Sequence, residues 1–81
     1  MERQRPKNLA AKLLAIRRHL NLSQTQMVKR LGLTIHYSRL SEFEIGRRFP
    51  PMYVLLAYAR LAGIHIDDLV DDDVPIKFTA R

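Results

Sequence analysis

Leu9, Leu13, Ile16 and Leu20 recur at intervals of three and four, with Lys12, Arg17 and Arg18 set between them. That is the single apolar stripe of an amphipathic helix, predicted over about 8–20. Asn21-Leu22 breaks the rhythm and Ser23-Gln24-Thr25-Gln26 restarts it. Ser23 is placed to cap a second helix, with Gln26 three residues on reaching back to the cap's own N–H. Leu22 and Met27 hold the two positions of a hydrophobic staple. This helix is expected over 24–31, burying Met27, Val28 and Leu31, and Gly32 ends it where a left-handed residue is wanted.

A third helix should follow at once, with Leu40 and Phe43 turned inward and Gly46 closing it. Its start has two readings. In the first, Thr34 caps a helix lengthened at its N-terminus, which brings Ile35, His36 and Tyr37 forward. In the second, the turn is longer and Ser38 starts the helix. The first is preferred because Thr34 is a good cap and Tyr37, Leu40 and Phe43 or Glu44 keep a helical spacing.

Arg47-Arg48-Phe49-Pro50-Pro51 is not regular helix, since each proline disfavours helix in the residue before it. Pro51 suits the first position of a fourth helix, which runs to Ala62 and stops at Gly63. A last turn or two, over about 66–71, takes Ile66 and Leu69 inward and sets Asp67 and Asp68 near its positive end. The pattern predicts an all-α fold of five helices in one domain, residues 8–70. A basic N-terminal arm (1–7) precedes it, with Arg3, Arg5 and Lys7 as backbone contacts or a loose basic start. An acidic and then mixed C-terminal tail (71–81) follows.

At 81 residues and 47% apolar composition, one packed core is expected and a second is not. No apolar run approaches the roughly 20 residues that span a bilayer. The polar start, with no apolar stretch behind it, argues against a signal peptide, so a cytoplasmic, nucleoid-associated location is expected. The absence of cysteine removes disulfides, thiolate metal sites and cysteine nucleophiles. Charge changes the picture most. Residues 1–66 hold 12 Lys/Arg against Glu2, Glu42 and Glu44, a net +9, whereas 67–81 hold five Asp against Lys77 and Arg81, a net −3. A basic body of this size is the electrostatic footprint of a polyanion binder.

Three segments carry a resemblance: LLAIRRHLNLSQTQMVKRLGL (13–33), RLSEFEIGRRFPP (39–51) and LLAYARLAGIHIDDLV (55–70). Arg17, Leu22-Ser23-Gln24, Gly32, Glu44-Ile45-Gly46, Pro50, Ala59, Gly63 and Leu69 fall in register with a family pattern. In this combination the chain resembles the Xre/Cro/phage-repressor helix-turn-helix family, over about three-quarters of its length. The resemblance implies a lambda-repressor-like fold, a transcriptional regulator of double-stranded DNA, and no cofactor or metal. Three departures stand out. The interval from Gly32 to Glu44 is two residues longer than usual, Val28 replaces a small residue, and Gln26 stands where an acid often pairs with the first-helix arginine. Arg17 is therefore expected to meet Glu44 or to hydrogen-bond to Gln26, both Arg17 and Glu44 being structural.

In such a motif the recognition helix lies in the major groove. The expected base-facing set is His36, Tyr37, Ser38, Arg39, Ser41 and Glu42. Arg39 is suited to bidentate contact with guanine and Glu42 to accepting from cytosine N4, unless the two simply pair with each other. Gln24, at a helix N-terminus, and Arg47 and Arg48, in the loop, are the expected phosphate contacts. The fourth helix is apolar beyond one stripe. Leu55, Ala59 and Ala62 serve the core, and the excess on Met52, Leu56 and Tyr53 or Val54 is expected to form a twofold homodimer contact.

Enzymatic readings lack parts. His19, His36 and His65 fall on three elements, with no metal spacing, phosphate loop or nucleophile elbow. Asp71-Asp72-Asp73 reads as a solvated acidic cluster rather than a metal site. The rival reading is a protein-binding module, antitoxin-like or an adaptor, that uses the fourth helix and the tail. RNA binding ranks lower, for want of an aromatic stacking platform.

Overall fold

A computed structural model of the chain describes residues 6–76, so Arg3, Arg5 and residues 77–81 lie outside the described residues. Those described form five helices and no strand: α1 (Leu9–His19), α2 (Gln24–Leu31), α3 (Tyr37–Glu44), α4 (Met52–Ala62) and α5 (Ile66–Val70). Among the described residues no helix is long and apolar enough to cross a membrane. Helix α1 packs against α3, α4 and α5, and α2 against α3 and α4. The stripe on α1 is buried at Leu9, Leu13 and Ile16, and meets Met27, Leu40, Phe43, Val54, Leu55, Tyr58 and Leu69 in one core.

The α1–α2 turn passes through Asn21 in the left-handed region, φ 59°, which asparagine tolerates better than most side chains. At α2 the capping box forms as the sequence implies. The Gln26 N–H donates to Ser23 Oγ at 3.1 Å, and the Ser23 N–H to Gln26 Oε1 at 2.9 Å. Gly32, at φ 71°, ends the helix.

The start of α3 corrects the preferred reading. Thr34 is exposed and does not cap; His36 is the N-cap, its Nδ1 accepting from the Ser38 N–H at 3.1 Å. The physical reason lies in Leu33 and Ile35, both packed against the core. Two residues apart, they share a side only in extended chain, because a helix would turn them roughly 200° from each other. The extra residues therefore lengthen the turn, and α3 begins at Tyr37.

Pro51 is the N-cap of α4 rather than its first helical residue. The phase of α4 also differs from expectation. Val54, Leu55, Tyr58 and Ala59 are buried while Ala62 is only half-buried. Tyr53, not Val54, is therefore the outward member of that pair.

Lys12, assigned to the polar side of α1, is buried. Its Nζ donates to the carbonyls of Asp68, Asp71 and Val74 at 2.7, 2.8 and 2.7 Å. It closes the C-terminal end of α5 and binds the chain that follows. In return, the Asp72 carboxylate accepts from the Lys7 and Asn8 N–H groups at 2.8 and 3.0 Å. Asn8 provides no side-chain cap for α1, so a carboxylate from the far end of the sequence sits at the positive end of that helix. Both N–H groups stabilise its charged form, holding the Asp72 carboxyl below the usual range.

Candidate nucleic-acid interface

The candidate interface is built on a buried ion pair. Arg17 Nε lies 2.7 Å from Glu44 Oε2, and the Glu44 side chain is 3% exposed. Arg17 Nη1 also donates to the Leu22 carbonyl at 2.9 Å, and Gln24 Nε2 donates to Glu44 Oε1 at 3.2 Å. A carboxylate is acceptable inside a protein only when both oxygens are satisfied, and here both are. Of the two partners expected for Arg17, the structure has Glu44, because the Gln26 side chain is occupied by the Ser23 cap. One acid at the end of α3 thus fixes α1, the start of α2 and α3 relative to one another.

Tyr58 lies in the field of that pair. Its Oη is buried with no hydrogen-bond partner among the described residues. Burial raises its pKa well above the usual phenol range, the Glu44 charge adds to the rise, and Arg17 opposes it.

With Leu40, Phe43 and Glu44 buried, α3 leaves its other side outward. His36, Tyr37, Ser38 and Arg39 are exposed, and Ser41 and Glu42 half-buried. The His36 and Tyr37 rings lie 4.4 Å apart between centroids, tilted by 32°. The Ser38 hydroxyl is 2.8 Å from His36 Nδ1. Arg39 and Arg48 both converge on Glu42. Their Nε atoms lie 3.4 and 3.1 Å from the same oxygen, Oε1.

The loop after α3 turns through Gly46 at φ 79°, a conformation that favours glycine. It is held by the Glu42 carbonyl, which accepts from the N–H groups of Arg47 and Arg48 at 3.0 and 3.3 Å. Arg47 and Arg48 are thereby brought beside the outward side of α3. Gln24 stands at the start of α2, with its amide nitrogen already given to Glu44.

Met52, Tyr53 and Leu56 of α4 are 63%, 58% and 37% exposed. Tyr53 and Leu56 line a groove with Arg30, Leu33, Arg60 and Leu61. Ile45, 64% exposed at the end of α3, was not singled out from the sequence; the only signal was an apolar residue beside Gly46. Among the described residues no group of three His, Cys, Asp or Glu is placed to hold a metal ion.

A family model described as helix-turn-helix matches residues 13–69. No curated protein matches the chain.

Proposed function

This chain belongs to the helix-turn-helix family, and we propose that it is a sequence-specific regulator of transcription, a repressor, that inserts α3 into the major groove of double-stranded DNA. The observation that carries this reading is the buried Glu44 carboxylate held by both Arg17 and Gln24, which locks α2 and α3 into one rigid pair with the other side of α3 clear. Tyr37, Ser38, Arg39 and Ser41 then face base edges. Gln24, at the positive end of α2, and Arg47 face phosphates, with Arg48 beside them on Glu42. Because α3 starts at Tyr37, His36 stands at the mouth of the groove rather than along its floor.

Selection of bound duplexes from a random-sequence pool tests this directly. A recurring site should emerge, and affinity should fall with salt at a log–log slope of about −0.9 per phosphate contact. A flat salt response refutes the reading.

The exposed Met52, Tyr53 and Leu56 support a twofold homodimer through α4, which would span half-sites about 34 Å apart on a near-palindromic site. Leu56→Glu should leave a folded monomer with much weaker site binding. A wild-type protein that sediments as a monomer with and without DNA overturns the dimer.

The same exposed side of α4 also suits a different partner protein, held there and by the tail. Deletion from residue 71 is a poor test of that alternative, because Asp71, Asp72 and Val74 hold α1 through Lys12 and the Lys7 and Asn8 amides. Deletion after residue 76 separates partner binding from folding.

A further inference from the structure

We infer that Glu42 is a specificity-determining positioning residue, which acts through Arg39 and Arg48 to disfavour binding to unmatched DNA rather than by reading a base itself. The inference rests on the DNA-binding reading above.

Its ground is the shared oxygen. Glu42 Oε1 lies within ion-pair distance of Arg39 Nε on α3 and of Arg48 Nε in the loop, at 3.4 and 3.1 Å. The side chains of Arg39, Arg48 and Glu42 are 49%, 52% and 31% exposed. Ion pairs so open to water contribute little to stability, so they are readily exchanged for a better acceptor. Arg39 is engaged through Nε, which leaves the end-on fork of its guanidinium, Nη1 and Nη2, for another acceptor. Guanine O6 and N7 fit that fork.

The two arginines then respond differently to the two kinds of DNA. At a matched site Arg39 meets its base end-on while its Nε stays on Glu42, and the bridge survives. On unmatched DNA Arg39 finds no guanine at that position, and the acceptors common to every sequence are phosphates. Arg48 reaches one by leaving Glu42, and the carboxylate is left facing a polyanion with less compensation. Unmatched binding therefore carries a like-charge penalty that the matched complex avoids.

The test uses the full chain, a duplex recovered by selection with the wild-type protein, and a random-sequence duplex pool. Glu42→Gln should tighten binding to the random pool about three- to tenfold and steepen its salt slope by about 0.9, one further phosphate contact. Affinity for the selected duplex should change less, so that discrimination falls. In an Arg48→Ala background the same Glu42→Gln substitution should produce no such gain, because its effect passes through Arg48.

An equal gain in both backgrounds would mean a general charge effect and would overturn the inference. So would an unchanged random-pool affinity with lost preference at a single base pair, which would make Glu42 a direct reader. If the wild-type protein binds neither duplex in a salt-dependent way, it is the DNA-binding reading that fails.

Discussion

Replacing Lys12 with methionine keeps most of the side chain's length and removes its charge, so it isolates what the buried ammonium does. Three carbonyls, from Asp68, Asp71 and Val74, lose their donor at once. Hydrogen bonds to charged groups contribute about 1.5–3 kcal/mol each. The three do not sum, because burying the ammonium itself costs several kcal/mol, and the freed carbonyls lie near enough to the surface to turn partly to water. A net loss of about 2–4 kcal/mol is expected. A domain of this size has roughly 4–12 kcal/mol in total, so the loss would be large but survivable.

Urea unfolding followed by circular dichroism reads it as a lower midpoint at unchanged slope. Hydrogen exchange adds a local signature. The Asp71 and Val74 amides, bonded to Asp67 and Asp71, should lose protection before those of α2 and α3. Lys12→Arg should fall between wild type and Lys12→Met, because a planar guanidinium does not present three converging donors as an ammonium does. A loss below about 0.5 kcal/mol, the range of an ordinary surface substitution, would refute the argument. Unchanged exchange at residues 71 and 74 would do the same.

Glu44→Ala leaves Arg17 mostly buried without its acid and should destabilise the fold by about 2–4 kcal/mol in urea unfolding. Tyr58→Phe removes a buried hydroxyl that has no partner among the described residues, so stability should hold or rise by up to about 1 kcal/mol. For Asp72 the folded carboxyl titrates below its ordinary 3.8, so its contribution is present above that value and fades as pH falls through the depressed one. Thermal unfolding of Asp72→Asn should therefore fall below wild type at neutral pH and converge with it in acid.

Signals whose partners lie within a few residues were legible from the sequence. Ser23 and Gln26 cap each other across three positions, and Gly32 and Gly63 end their helices in left-handed turns. The start of α3 was not legible, because a good local cap at Thr34 competed with burial of Leu33 and Ile35, and burial won. Helix α4 was too apolar for its pattern to fix its phase, so Tyr58 went unnoticed as a core residue. Lys12 and Asp72 were missed for a different reason. The Lys12 acceptors lie 56, 59 and 62 residues away in sequence, and no periodicity encodes where such distant carbonyls converge. In the candidate site, Arg17 and Glu44 came from a resemblance. The choice between Glu44 and Gln26 as partner depended on the Gln26 amide being already committed.

The two acids of α3 show why position on a helix matters more than residue type. Glu42 and Glu44 are two positions apart and so point about 200° from each other. Glu44 goes inward, where low dielectric strengthens its ion pair and both carboxylate oxygens have a partner. Glu42 goes outward, where water weakens each of its pairs to the point of exchange. The proposed reading role of α3 needs both properties. Its backbone must be held to within a fraction of an ångström if an arginine fork is to match a base edge, whereas that arginine must be free to accept a new partner on arrival. Had both acids faced inward, Arg39 and Arg48 would have no anion to hold them in the free protein. Had both faced outward, nothing would tie α3 to α1 and α2. The alternation separates rigid support from exchangeable charge within one turn of helix.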